Sequence, residues 1–205
     1  MNLKIEKYEK VAKSLYRLYL DNGEVIDVYD EVILENNLLL KKELSSYLYN
    51  KILCESKLCE FYNACIKYIS IRVRSTKEII DYLKKKGVME EDITYVVNKL
   101  NKNKFLDDNY FCECFIKDKL KFTSMGEYKI LYELKRLGIS SDIINNNYYL
   151  LDSDILKERI DKIIDKKIRS NHKLDNNKLR NKIYNSLVNL GYSSNLVTER
   201  LNKYF

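Results

Sequence analysis

Three glycines set the frame for this chain. Gly87, Gly138 and Gly191 lie 51 and 53 residues apart, and the apolar residues around them fall at shared offsets. Four residues before each glycine stands Leu83, Leu134 or Leu187; eight before stands Ile79, Ile130 or Ile183. That spacing puts one apolar stripe on a helix, and glycine can take the left-handed conformation that closes it. Six, ten and thirteen residues after the glycines come Ile93, Val97 and Leu100, then Ile144, Tyr148 and Leu151, then Val197, Leu201 and Tyr204. A second amphipathic helix is therefore predicted in each copy. The last two copies share wording, Gly-Ile-Ser-Ser-Asp-Ile-Ile and Gly-Tyr-Ser-Ser-Asn-Leu-Val. A further helix is expected ahead of each glycine-ended one, over residues 58–70, 109–121 and 154–170.

A block of about fifty residues buries its faces poorly alone, so stacking must complete the core. The expected body is mainly α: three tandem three-helix repeats over residues 56–105, 106–152 and 153–205, forming a curved solenoid. Helix starts are marked by polar caps. Ser75-Thr76-Lys77-Glu78 has the form of a capping box, Ser124-Met125-Gly126-Glu127 suggests a second, and Asp175 is placed to cap the third. Residues 1–55 differ. Stretches 14–20 and 24–29 are rich in strand formers and flank Asp21-Asn22-Gly23, whose Asn-Gly pair suits a tight hairpin. Residues 5–8 offer a third strand, with helices expected at 32–36 and 43–55.

Composition narrows the function. Of 205 residues, 45% are hydrophobic and 33% charged, which fits a folded chain and excludes wholesale disorder. The charged opening, Met1-Asn2-Leu3-Lys4-Ile5-Glu6-Lys7, lacks a signal-peptide apolar region, and no stretch approaches the roughly 20 apolar residues of a membrane span. A cytoplasmic protein without membrane contact is expected. Five cysteines (Cys54, Cys59, Cys65, Cys112 and Cys114) do not form metal-ligand spacings, and the single histidine, His172, lies in a polar run. They are expected to be reduced, small, buried apolar residues. No glycine-rich phosphate loop and no nucleophile–base pattern is present. The expectation is a binding protein, not an enzyme, with neither cofactor nor metal.

Net charge is +7, and residues 153–205 carry most of the surplus, with 12 basic and 6 acidic groups. Absence of proline and the 18 tyrosines suit AT-rich coding sequence, which also inflates lysine, so charge counts only where it clusters. Arg72 and Arg74 precede the first capping box. A helix entrance is the positive end of the dipole, so two arginines there ask for an anion from elsewhere. Lys84-Lys85-Lys86 sits in a last turn, where the dipole alone favours it. Lys166, Lys167 and Arg169 belong to the most basic segment. A helix-turn-helix reader of DNA is the rival reading, but the helix after Gly87 would open with Glu90-Glu91-Asp92, which repels phosphates.

Taken together, these residues resemble the RecX family of bacterial recombination regulators. The match is carried by Arg72-Val73-Arg74-Ser75-Thr76-Lys77-Glu78, by Tyr82-Leu83-Lys84-Lys85-Lys86-Gly87, and by Phe105-Leu106-Asp107-Asp108 with Phe111 and Phe115. It extends through Gly126, Lys129, Ile130, Glu133, Leu134, Gly138 and Ile139, and is weakest beyond residue 150. Val73 stands where the family often has proline, Cys112 where a small alanine is common, and Lys119 and Lys121 supply a basic position. The resemblance implies a monomer that binds RecA filaments on single-stranded DNA and modulates, usually inhibits, their ATPase, strand-exchange and coprotease activities. The implied contacts to filament or DNA are Arg72, Arg74, Lys121, Lys129, Lys166, Lys167 and Arg169. The competing reading is a helical DNA-binding module or transcription factor acting on DNA without RecA.

Overall fold

A computed structural model of the chain describes residues 2–171 and 175–205; the expectation for His172 lies outside them. The chain opens with a four-stranded antiparallel sheet in the order β3-β2-β1-β4: β1 Asn2–Ala12, β2 Leu15–Leu20, β3 Val25–Tyr29 and β4 Glu43–Ser45. The expected hairpin is β2–β3, in register at Leu18↔Ile26 and Tyr16↔Val28. Its turn uses Gly23 at φ +85°, while Asn22 accepts the Glu24 N–H on its side chain. Alternation does the rest: Leu18, Leu20, Ile26 and Val28 point into a core with Ile5, Val32, Leu38, Leu44 and Ile52.

After the short α1 (Asp30–Glu35) and β4, one helix of 26 residues, α2 (Ser46–Ile71), replaces the two expected at 43–55 and 58–70. Residues 43–45 pair with β1 instead of starting the helix, and Ser45 caps α2 by accepting the Leu48 N–H. No glycine or proline interrupts residues 46–71, so nothing stops the helix midway. Eight helices follow: α3 Thr76–Lys85, α4 Glu90–Lys102, α5 Asp108–Phe122, α6 Glu127–Arg136, α7 Ser141–Asn146, α8 Ser153–Ser170, α9 Asn176–Asn189 and α10 Ser194–Leu201. They complete three three-helix blocks: the end of α2 with α3 and α4, then α5–α7, then α8–α10.

The glycine frame holds at each block. Gly87, Gly138 and Gly191 have φ of +74°, +83° and +93°. The N–H of the residue after each glycine reaches back to a carbonyl five residues earlier: Val88 to Leu83, Ile139 to Leu134, Tyr192 to Leu187. These are helix-closing bonds of the left-handed type, and Val88, Ile139 and Tyr192 are themselves buried as the accompanying apolar contact. The aligned stripe is buried except for Tyr148 and Tyr204, which stay partly exposed.

Two expectations fail locally. The last helix of the second block does not run to Leu151. It ends at Asn146, and a 3₁₀ turn spans Tyr148–Leu150. Asn147, buried at the break, spends its side-chain amide on the Ile143 carbonyl and on Asn109, so a side chain competes with the helix ladder. Ser124 forms no capping box either. Gly126 is the cap of α6, Glu127 is its first residue, and the position matching Ser75 is Gly126.

The fold divides into two compact units: residues up to Arg72 with Tyr82–Phe105, and Val73–Asp81 with Leu106–Phe205. The second contains two similar joints. In the first, Ser75 donates its hydroxyl to the Leu137 carbonyl and Lys77 donates Nζ to the Arg136 carbonyl; a Cβ on Gly138 would lie 2.7 Å from Lys77 Cβ. In the second, Gly126 N–H donates to Leu190 and Tyr128 N–H to Gly191, where a Cβ would lie 2.6 Å from Lys129 Cβ. Each joint sets the first turn of a block's middle helix on the glycine turn of the next block.

Candidate partner-binding surface

The residues that carry the motifs are largely committed to these joints. Ser75 and Glu78 form the expected capping box in both directions: the Glu78 carboxylate accepts the Ser75 N–H at 3.1 Å, and the Ser75 hydroxyl accepts the Glu78 N–H at 3.2 Å. Asp107 caps α5 by accepting the Tyr110 N–H, while Asp108 crosses to accept the Thr76 N–H at 2.8 Å. The arginine–serine–glutamate and Leu-Asp-Asp elements thus meet, and their shared work is to close helix starts.

Arg74 belongs to the same cluster. Its guanidinium lies 3.4 Å from Glu78, with side-chain exposures of 10% and 14%. It therefore has an anion within its own helix start, and the dipole argument for an external one does not apply to it. Arg72 is the exposed residue just past the end of α2, in extended backbone.

The other cations are more open. Lys121 is exposed near the end of α5, its ammonium 5.1 Å from the Phe122 ring centre. Lys119 is instead engaged inside, 3.1 Å from Glu133 and over the Phe115 ring. Lys129 is exposed in α6, with its backbone against Gly191. At the end of α8, Lys166 and Arg169 line a shallow groove of about 450 Å³ with Lys162 and Asp165. Lys167, one position round the helix, is half-buried and is not part of that lining. Lys162 is the residue that sequence inspection missed. Its signal was the spacing 162, 166, 169, which is one face of a helix.

Position within α8 is fixed by Arg159, which donates to the carbonyls of Leu120, Thr123 and Met125 and so ties the α5–α6 loop to α8. Arg200 from α10 pairs with Asp161. Burial raises the Tyr192 phenol above its ordinary range, against the opposing influence of Arg159. No group of three or more His, Cys, Asp or Glu suited to a metal exists among the described residues, and no described helix is long and apolar enough to cross a membrane.

Comparison with known proteins gives this geometry a setting. Residues 62–100 match the family described as RecX, first three-helix domain. A protein of Oceanobacillus iheyensis named Regulatory protein RecX is 30% identical over 195 residues, covering 93% of this chain and 72% of the relative. A Clostridium botulinum protein of the same name is 29% identical over 96% of this chain and 93% of its own length. Among solved structures, a crystal structure of regulatory protein RecX superposes with a TM-score of 0.84 at 21% identity, over 98% of this chain and 99% of that one. RecX from Lactobacillus salivarius gives 0.66 at 23% identity, over 71% of this chain and 95% of that one. At these identities the two structures speak for the fold.

Proposed function

This chain belongs to the RecX family of regulatory proteins, and from that premise we propose that it binds the groove of RecA filaments on single-stranded DNA and inhibits their ATPase, strand-exchange and coprotease activities. It does so as a cytoplasmic monomer that lays its three-helix blocks along the filament. The observation that carries the reading is the cationic face of α8, where Lys162, Lys166 and Arg169 line one groove within the segment of greatest positive surplus. Such a face suits an anionic, nucleic-acid-containing rod. Arg72, Lys121, Lys129 and Lys167 extend the proposed contact set, and Arg74 supports it by holding the start of α3.

The rival, a module that reads duplex DNA alone, is disfavoured by Glu90, Glu91 and Asp92, which fill the first turn of the helix that would enter the groove. The test is inhibition of RecA ATPase on single-stranded DNA by the wild type and by Lys166→Glu/Arg169→Glu. A loss of about ten-fold or more in inhibitory potency, with the fold intact, is expected from removing two phosphate-facing cations. Unchanged potency would remove α8 from the contact set, and a wild type indifferent to filaments would overturn the proposal.

A further inference from the structure

The second unit also carries a groove of opposite sign. It measures about 570 Å³ and is lined by Glu127, Tyr148, Tyr149, Asp152, Ser193 and Glu199 among others, with no lysine or arginine in its lining. Three carboxylates facing one groove would be an ordinary solvated patch but for Glu127. That residue is 4% exposed. Its Oε1 accepts the Ser193 N–H at 2.8 Å, while Oε2 is buried and has no hydrogen-bond partner among the described residues. A buried carboxylate oxygen without a donor is a costly arrangement, and it calls for one from outside. The rest of the lining says what kind. Tyr148 and Tyr149 are 48% and 69% exposed, offering ring faces beside the carboxylates. Glu199 is exposed, and Asp152 is held in place by capping α8.

Carboxylates next to open aromatic rings suit a guanidinium, which is planar, weakly hydrated, rich in donors and able to stack on a ring. They repel phosphate. We propose that this groove receives an arginine side chain from a basic segment of a protein partner, the guanidinium donating to Glu127 and Glu199 and lying against Tyr149. The assignment deepens the function proposed above and rests on it for the partner's identity: the cations of α8 face nucleic acid, and the acidic groove takes hold of protein.

The direct test titrates the full chain with a tetra-arginine peptide and follows backbone amide shifts by NMR. Saturable shifts are expected at Ser193 and Tyr149, weakened about ten-fold or more by Glu199→Lys and several-fold by Tyr149→Ala. Neither side chain holds the fold in a described contact, and Lys166→Glu/Arg169→Glu should leave peptide binding intact. Shifts indifferent to both groove variants, or equal saturation by magnesium chloride alone, would overturn the assignment. Binding to RecA–single-stranded DNA filaments separates the two readings. Wild type that takes the peptide in the groove but ignores filaments sinks the RecA proposal and leaves the groove standing. Wild type that binds filaments but not the peptide does the reverse.

Discussion

The hydroxyl of Ser75 donates to the carbonyl of Leu137 at 2.9 Å, across 62 residues of sequence, while the same oxygen accepts the Glu78 N–H. One small side chain closes a helix start and fastens that helix to the next block. Replacing it with alanine removes both bonds. The cap is worth about 1 kcal/mol and the carbonyl left unpaired about another. Ser75→Ala should therefore lower unfolding stability by about 2 kcal/mol in a urea titration. Ser75→Thr keeps the hydroxyl and should lose less; equal losses for the two would show that the bonds contribute little.

Glycine substitutions should separate crowding from conformation. Gly126 has an ordinary φ of −84°, but a Cβ there would lie 2.4 Å from the backbone of Gly191 and Tyr192. Gly126→Ala must force the second joint apart, at a cost of roughly 3 kcal/mol or more. Gly23 has φ +85° and open space around it, so Gly23→Ala should cost only about 1 kcal/mol. Thermal melts of the two variants should rank them in that order.

Arg74 should report on folding before it reports on binding. Arg74→Glu sets a second carboxylate against Glu78 in a site where both side chains are mostly buried, with an expected loss of about 3 kcal/mol. A loss of RecA inhibition by this variant would then track its melting temperature. Full stability together with lost inhibition would instead assign Arg74 to the contact surface.

The cysteines predict both labelling and alkaline behaviour. Burial pushes the Cys59 thiol up to about 12, with Glu31 adding to it, and pushes Cys65 and Cys112 up to about 11, against an ordinary 9.0. Each contributes stability that is full below pH 9 and is lost as pH rises toward 11 to 12, because the unfolded chain gives up these protons first. Denaturation midpoints should fall over that window, and a flat profile would contradict it. Cys54, exposed on α2, should be modified by maleimide at pH 8 while Cys59, Cys65 and Cys112 resist until the chain unfolds.

What was legible in the sequence is what is local. The glycines, the leucine and isoleucine four and eight residues before them, and the Asn-Gly hairpin are written within single helices or turns, and they reappear in place. The cap at Ser75 was legible for the same reason. Its apparent copy at Ser124 was not a copy, because the joint needs backbone-to-backbone approach and Gly126 occupies the matching site. The break at Asn147 depends on Asn109, and no helical periodicity announces it. The α2 helix was divided in expectation by the length of the repeat, although Ser56 is no helix breaker. Likewise Lys162, Lys166 and Arg169 could be read as one face, whereas Glu127, Tyr149 and Glu199 become neighbours only through folding.

The two joints also impose a timetable on biosynthesis. Ser75 leaves the ribosome well before Leu137 exists to accept its proton, and Gly126 well before Leu190 and Gly191. Each block of the second unit therefore waits for its successor, and Gly126 gains its partners only when the final stretch of the chain emerges. A nascent polypeptide halted between residues 140 and 185 would carry one finished clasp and one still open.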